Sequence, residues 1–335
     1  MSGGLLSLMP SLPLDSPAAA DRLQLIATIG PSSAHLIEDL ARAGATAFRL
    51  NASHLDRAAL AALLSRVRDR CPDAEAVVDL QGAKMRLGIS RARAISAGDL
   101  ARFALDRRRG LLLPHPDLYR QVRPRDTLSV DDGRVRFEVI QVEVSSLTAR
   151  ALTDGRLLPR KGVNVEQHPI ELTSLTERDR EACAVAAAAG VLSFACSFMT
   201  DGREAAWLRE QVPGCRVAGK VERREAIDNL ATIGRHVEAI WICRGDLGAQ
   251  LGPARLARFV GGFNPRGLPL PVLMAGQVLE HLTAHDEPTR SEVCHLHDLV
   301  ARGFAGVVLS DETAIGRNPV QAVATAAELL EAFRP

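Results

Sequence analysis

The sequence predicts a (β/α)8 TIM barrel with a small all-β domain inserted after its third strand. Short apolar runs rich in β-branched residues alternate with Ala/Leu/Arg stretches of helical period, and eight such units follow one another. The apolar runs are continuous, which is typical of parallel strands buried on both faces. Period-2 alternation between residues 89 and 171 predicts the insertion. A doubly wound sheet is the alternative that the number of strands leaves open.

The predicted elements follow one another along most of the chain. The strands are predicted at residues 23–29, 46–51, 74–80, 191–197, 215–222, 238–245, 269–275 and 305–310. The helical segments are predicted at 33–43, 56–71, 176–189, 202–212, 223–236, 253–263, 277–302 in pieces, and 318–333. We therefore expect a barrel domain over 22–88 and 172–335, a β-barrel lid over 89–171, and a loose tail over 1–21.

The lid is distinguished by its alternation and by a hairpin signal. The segment TLSVDDGRVRFEVIQVEVSSLTARAL, residues 127–152, alternates apolar and polar residues through most of its length. Within it, VDDGRV places Asp-Gly between two alternating runs, which is typical of a tight β-hairpin turn.

Composition excludes several classes of protein. The chain has 335 residues, a net charge of +1 and 47% hydrophobic residues, so it predicts neither a nucleic-acid-binding stripe nor a polybasic membrane face. No apolar run approaches the ~20 residues of a spanning helix. Six scattered cysteines without a Cys-x-x-Cys pair indicate reduced thiols and a cytoplasmic protein. The first residues lack a basic region and contain prolines, which favours a loose tail over a signal peptide.

Polar residues cluster where the predicted strands end, the position of active sites in these barrels. The Lys-x-Glu pattern at one strand end and Gly-Asp at the next bring two carboxylates, Glu222 and Asp246, within reach of one divalent cation. A nearby lysine and arginine suit an anionic, phosphorylated substrate. The strand-end residues are Arg49, Asn51, Ser53, Asp79, Lys220, Glu222, Asp246 and Ser310.

Eight motifs resemble those of the pyruvate kinase family in order and in spacing, between about residues 22 and 333. This resemblance implies a barrel with a β-barrel lid, and transfer of a phosphoryl group between phosphoenolpyruvate and ADP to give pyruvate and ATP. The motifs are ATIGPSS (27–33), FRLNASH (48–54), VVDLQGAKMRLG (77–88), VDDG (130–133), RKGVN (160–164), GKVE (219–222), CRGDLG (243–248) and LSDETAIGRNPVQAV (309–323).

The resemblance also implies roles for individual residues. Arg49 would bind the transferring phosphate, and Lys220 would stabilise charge on the phosphoryl group and on the enolate oxygen. Glu222 and Asp246 would hold Mg2+ or Mn2+. The implied substrate contacts are Arg49, Lys220, Gly245, Asp246 and Gly276. The implied nucleotide contacts are Asn51, His54, Arg86 and Lys161. The positions that line a monovalent-cation site in the family are Asn51, Ser53, Asp79 and Leu80.

Lysine is scarce in this chain, and its positions are informative. Only Lys84, Lys161 and Lys220 occur among 41 basic residues, and all three lie in the motifs above. A compact ammonium and a planar guanidinium are not interchangeable where a point charge must fit. Placement of Lys161 and Lys220 on the surface by chance is the alternative.

Lys84 predicts activity that does not require potassium. In potassium-requiring family members the matching position is typically glutamate, and the position of Leu80 is threonine. A tethered ammonium can supply the charge of the ion, and the leucine lacks the ligand oxygen. Lys84 is therefore counted with Arg49 and Lys220 as catalytic.

The sequence departs from the family in four places. Gly276 replaces a threonine implicated in substrate orientation and enolate protonation. Thr200 stands where the family carries an arginine, and Gln250 replaces a common acid. The sequence ends after the eighth β/α unit, so we expect no regulatory C-terminal domain and no allostery through it. Residues 287–292 resemble a dimer segment, so we expect a monomer or a homodimer.

These departures leave two other functions open: transfer to a different phosphoryl acceptor, and a weakly active homologue with a binding or regulatory role. Zinc binding by His281 and His285, four residues apart and followed by His295 and His297, is weighed against ordinary helix-surface histidines. The sequence leaves undetermined the nucleotide preference, the pathway and the effect of Gly276 on activity.

Overall fold

We describe the protein from a computed structural model in which residues 23–131 and 133–334 are described. The tail predicted over residues 1–21 lies outside the described residues. The strands are β1 (Gln24–Ile29), β2 (Ala47–Asn51), β3 (Glu75–Leu80), β4 (Met85–Arg86), β5 (Arg93–Ile95), β6 (Leu100–Ala104), β7 (Leu111–Leu112), β8 (Thr127–Val130), β9 (Val135–Val142), β10 (Ser146–Ala151), β11 (Gly155–Leu157), β12 (Gly162–Val165), β13 (Ser193–Cys196), β14 (Arg216–Val221), β15 (Ala239–Cys243), β16 (Val272–Ala275) and β17 (Gly306–Leu309).

Helices follow most of the barrel strands. They are α1 (Ile37–Arg42), α2 (Arg57–Arg70), α3 (Pro116–Gln121), α4 (Glu177–Ala188), α5 (Arg203–Gln211), α6 (Arg224–Asp228), α7 (Leu230–Ile233), α8 (Arg244–Leu251), α9 (Pro253–Gly262), α10 (Arg290–Arg302), α11 (Asp311–Ala314) and α12 (Pro319–Ala332). Two short 3-10 helices lie at Pro265–Gly267 and Glu280–Thr283.

Eight parallel strands close into a barrel, in the order β1-β17-β16-β15-β14-β13-β3-β2. The predicted (β/α)8 barrel is thus confirmed, and the doubly wound alternative is wrong because β1 pairs with both β2 and β17. Each barrel strand is shorter than predicted, by one to three residues at an end. The helix predicted at 223–236 is two short helices that meet at Asn229.

Apolar side chains fill the barrel on both sides of its wall. One core lies between the strands and the surrounding helices and includes Phe48, Leu50, Val78 and Leu80. A second lies inside the barrel and is dominated by small residues around Trp241. Because side chains alternate along a strand, each barrel strand contributes to both cores. The same alternation decides which polar side chains face the barrel mouth.

The lid has its own core and its own sheet. Its seven-stranded sheet has the order β4-β12-β8-β9-β10-β6-β7, and β5 pairs separately with β11. β4 follows the end of barrel strand β3 after a four-residue link, residues 81–84, which includes Lys84. Lys84 therefore lies at the border of barrel and lid.

Two general features complete the description. Among the helices of residues 23–131 and 133–334, none has the length and apolar character needed to cross a membrane. The six cysteines all lie in the described residues and are free thiols; four are buried, Cys71 is half-buried and Cys294 is exposed.

Candidate active site

The polar centre at the barrel mouth follows from strand alternation. On β2, Ala47 faces the barrel interior, so Arg49 and Asn51 lie on that same face of the strand. On β3, Val77 and Asp79 lie on the interior face for the same reason. On β14, Ala218 faces inward, and Lys220 shares its parity. The apolar interior thus ends in a layer of charged side chains.

Lys220 is the buried centre of this layer. Its ammonium contacts both carboxylate oxygens of Asp79, at 3.1 and 3.0 Å, Ser197 Oγ at 2.8 Å and Glu222 Oε1 at 2.9 Å. Burial acts to lower the pKa of Lys220, but the charges of Asp79 and Glu222 outweigh it and raise that pKa above its ordinary value. Lys220 therefore remains a fixed cation across the physiological pH range.

Asp79 joins Lys220 to the second cation, Arg49. Arg49 Nε and Nη2 lie 2.7 and 2.6 Å from Asp79 Oδ2, and Arg49 Nη1 donates to Thr28 Oγ1 at 3.0 Å. Asp79 is 1% exposed. Burial opposes its ionisation, yet Lys220 and Arg49 hold the pKa of Asp79 below its usual value. One carboxylate thus anchors both cations.

The other positions matched to a monovalent-cation site have partners within the chain. Asn51 Oδ1 accepts hydrogen bonds from Ser53 Oγ at 2.7 Å and from Ser53 N at 3.1 Å. Leu80 is 1% exposed and packs in the core between barrel and helices, on the opposite face of β3 from Asp79. Leu80 therefore contributes to packing rather than to the polar centre.

Glu222 and Asp246 are the two carboxylates predicted to share a cation. Glu222 Oε2 accepts from Phe198 N at 2.9 Å, while its other oxygen faces Lys220. Asp246, in the first turn of α8, has its Oδ1 2.5 Å from Lys84 Nζ. Burial raises the pKa of Glu222, Lys220 opposes that shift, and the charge of Asp246 adds to it.

The donor chemistry of this pair fits a hard divalent cation. Carboxylate oxygens are the hard ligands that such cations prefer, and the charge of Asp246 acts on the pKa of Glu222. Among residues 23–131 and 133–334 no group of three or more His, Cys, Asp and Glu side chains forms a metal cluster. A cation here would thus take its remaining ligands from substrate and water, as Mg2+ commonly does.

Gly276 and Gly245, the two glycines matched to the substrate, differ in what a side chain at each position would meet. Gly276 has φ +79°, and a side chain there would be strained although the space beside it is open. Its carbonyl accepts from Arg244 Nε at 3.0 Å and Nη2 at 2.8 Å, and Gln277 O also accepts from Arg244. A Cβ on Gly245 would meet no atom within 4 Å. Sequence reasoning missed Arg244 as the anchor of this loop.

The residues matched to the nucleotide only partly converge. Burial and the charges of Arg86 and Arg160 lower the pKa of His54 to about 4. Arg86 Nη1 donates to Arg160 O at 2.9 Å, and Arg160 also donates to Ser53 O. Lys161 is instead held within the lid, with its Nζ 2.9 Å from Asp131 Oδ1. Arg160 therefore joins lid and barrel, a contact that its position in the RKGVN motif did not reveal.

Arg178 is a second residue of this region that the sequence did not predict. Its guanidinium donates to three carbonyl groups of the loop after β2: Nη2 to Ala52 O at 3.1 Å, to Ser53 O at 3.3 Å and to Leu55 O at 2.8 Å. Nothing in the local pattern of α4 distinguishes it from the other arginines. Arg178 fixes the loop that carries His54.

A cavity of about 550 Å3 opens between lid and barrel beside the Lys84–Asp246 pair. Its floor includes Phe198 and Arg223, and its roof includes residues 164–170 of the lid. The cavity gives a small polar molecule room next to the charged layer.

The histidine cluster after the seventh barrel strand lies apart from this layer. The rings of His281 and His285 stack at 3.8 Å, and His281 Nδ1 lies 2.7 Å from Glu287 O. His297 packs edge-on against Phe333. Burial lowers the pKa of His295. These contacts are those of packing histidines.

Comparisons with known proteins agree with the geometry. The family model described as "Pyruvate kinase, barrel domain" matches residues 20–323. A pyruvate kinase of Methylorubrum extorquens is 32% identical over 330 residues, covering 92% of this chain and 68% of the relative. Pyruvate kinases of Agrobacterium vitis and Thermoplasma acidophilum are 32% and 29% identical, each over 92% of this chain, with 68% and 57% of the relative covered.

Proposed function

Because the chain belongs to the pyruvate kinase family, we propose that it transfers a phosphoryl group between phosphoenolpyruvate and ADP, giving pyruvate and ATP. The observation that carries this proposal is the charged layer in which Asp79 anchors both Lys220 and Arg49, with Glu222 beside Lys220. Phosphoryl transfer asks a protein mainly for positioning and charge neutralisation. Cations that are already held in place provide both.

Each of these side chains has a separate task in the proposed reaction. Arg49 and Lys220 bind the anionic phosphoryl group, and Lys220 also stabilises the enolate oxygen. Mg2+ or Mn2+, held by Glu222 and Asp246, would add charge neutralisation at the phosphate oxygens. His54 and Arg86 face the nucleotide. Because the pKa of His54 is about 4, that ring is neutral near pH 7 and acts as a hydrogen-bonding group.

We propose further that activity is independent of potassium. The Lys84 ammonium, 26% exposed in its side chain, lies on Asp246 and supplies a tethered charge beside the reacting groups. The pairing of Asn51 with Ser53 and the burial of Leu80 support this reading. Three of the four matched positions, Asn51, Ser53 and Leu80, thus have a hydrogen-bond partner within the chain or a core environment that requires no ion.

Transfer to another acceptor is the second candidate function, and Gly276 is the observation that favours it. The positive φ at this position selects glycine, so the hydroxyl that the family uses near the enolate is lacking. Protonation of the enolate then depends on water or on the acceptor itself.

A coupled assay of pyruvate formation with phosphoenolpyruvate, ADP and Mg2+ tests the first candidate against a Lys220→Met control. Turnover far above the control supports it. Turnover equal to the control overturns it. Consumption of phosphoenolpyruvate that continues without any nucleoside diphosphate, when other acceptors are supplied, would support the second candidate instead.

A further inference from the structure

The turn that follows β13 holds Lys220 of β14 and Glu222, the residue directly after that strand. Ser197 Oγ accepts from Lys220 Nζ at 2.8 Å and donates to Asp79 Oδ1 at 3.1 Å. The next residue, Phe198, donates its backbone N–H to Glu222 Oε2 at 2.9 Å. Two successive residues of one turn thus orient a cation and a carboxylate of the proposed site.

This turn is not a conformation that the chain adopts easily. Phe198 has φ +56°, in the left-handed region that a bulky residue rarely occupies. Gly82 packs directly on it, since a Cβ at that glycine would lie 2.1 Å from Ser197 O. A backbone held in such a region persists only where the surroundings support it.

Much of that support comes from a buried arginine. Arg223 is 4% exposed, and its Nη1 donates to Thr200 Oγ1 at 3.1 Å. Its Nε lies 3.2 Å from Glu225 Oε2. The backbone of Thr200 is held as well, because its N–H donates to Glu204 at 2.8 Å and its carbonyl accepts from Asn229 at 3.0 Å. Arg223 therefore braces the far end of the turn.

Thr200 and Arg223 line the same small cavity behind the turn, together with Ser197 and Phe198. A guanidinium attached at residue 200 instead of residue 223 would therefore start beside the same cavity.

We propose that Arg223 is a positioning residue for Lys220 and Glu222. Its guanidinium acts through the turn at residues 197–200, which orients both side chains. The inference deepens the proposed function, because the roles of Lys220 and Glu222 belong to that proposal.

The test compares wild type, Arg223→Ala and the relocated variant Thr200→Arg/Arg223→Ala. Hydrogen exchange of the peptide that contains residues 197–200 reports on the turn, and titration with Mn2+ in the absence of nucleotide reports on Glu222 and Asp246. Arg178→Ala is the matched control, since Arg178 braces the loop at residues 52–55 in the same manner.

We expect Arg223→Ala to speed exchange of the turn amides and to weaken Mn2+ binding about 10-fold, the order found when groups behind metal ligands are removed. The relocated variant should recover most of both losses. Arg178→Ala should change exchange near residues 52–55 and leave the turn unchanged. Should Arg223→Ala not fold, Arg223→Lys is measured, and we expect faster exchange because an ammonium cannot hold Thr200 and Glu225 in one fork.

Unchanged exchange and unchanged Mn2+ affinity in the Arg223 variants would overturn the inference. Equal losses in Arg223→Ala and in the relocated variant would overturn it too, since they indicate a packing role specific to position 223. If wild type binds no Mn2+, the proposed function fails, whereas the exchange measurement still decides whether Arg223 braces the turn.

Discussion

The lysine at the barrel mouth and the two lysines in or beside the lid lie in opposite settings. Lys220 is 7% exposed in its side chain and contacts four oxygen atoms from three residues. Lys84 and Lys161 are 26% and 38% exposed, and each forms one ion pair with a carboxylate. The four contacts of Lys220 keep its geometry whatever binds, whereas the single ion pairs of Lys84 and Lys161 can exchange partners when substrate or lid moves. Rigidity is thus concentrated where charge develops.

The largest effect is expected from substitution of Lys220 at the barrel mouth. Lys220→Met should lower kcat by about three orders of magnitude, because a preorganised cation is lost and Asp79 keeps Arg49 as its one cationic partner among the described residues. Steady-state rates with phosphoenolpyruvate and ADP measure the effect. Lys220→Arg is the matched control; it should also be strongly impaired, since a planar fork does not fit the four oxygen contacts. Near-normal rates in both variants would contradict the assigned role.

At the lid border, Lys84 should decide the response to potassium. We expect wild type to have the same rate in sodium and in potassium buffers. Lys84→Glu should lose about 100-fold in sodium and regain much of it in potassium, because the tethered cation is removed and a carboxylate supplies a ligand oxygen. Strong activation of wild type by potassium would show that the tethered charge does not replace the ion.

Acid should loosen the lid. His115 is 6% exposed, its Nε2 accepts from Arg86 N at 3.0 Å, and burial lowers its pKa to about 4 from the ordinary 6.5. A group with a depressed histidine pKa binds fewer protons when folded, so stability falls as the pH drops from about 6.5 towards 4. Between pH 7 and 5 the loss should be about 2 kcal/mol.

Hydrogen exchange of lid peptides at the two pH values measures that loss. His115→Gln, whose amide oxygen can still accept the Arg86 N–H, should remove most of the dependence on pH. A dependence that is equally steep in the variant would assign it to other groups.

The smallest effect is expected within the lid. Asp131→Asn removes the carboxylate that holds Lys161, so the lysine is freer to reach a nucleotide phosphate. We expect the KM for ADP to fall two- to fivefold while kcat changes little, since an ion pair whose lysine is open to solvent is worth about 1 kcal/mol or less. A rise in KM would indicate instead that Asp131 orients Lys161 for binding.

Local pattern was sufficient for the barrel and for most of its polar mouth. Continuous apolar runs identify strands buried on both faces, and polar residues at the predicted strand ends, among them Arg49, Asp79 and Lys220, indicate the barrel mouth. The predicted ends were less accurate, as at the helix predicted from residue 33, which begins only at Ile37 after a series of turns. Short-range competition between turn and helix decides such ends, and apolar periodicity does not report it.

Contacts between segments far apart in the sequence could not be predicted. The pairing of Lys84 with Asp246 joins residues 162 positions apart, and the Arg178 clamp joins a helix of the barrel to a loop more than 120 residues earlier. Neither has a local signal, because the partners meet only when the barrel has closed. The same holds for Arg223, which looked like one more arginine in an arginine-rich chain.

By itself, the sequence determined the barrel, its family and the residue types at the strand ends, because side-chain period and motif spacing are properties of the linear chain. The tertiary structure alone decided which carboxylate neutralises each cation, that Lys84 lies on Asp246 while Lys161 stays in the lid, and that Arg223 braces the turn after β13. These depend on distances set by barrel closure and by the position of the lid. Electrostatic partners are chosen by proximity in space, and the chain encodes that proximity only through its fold.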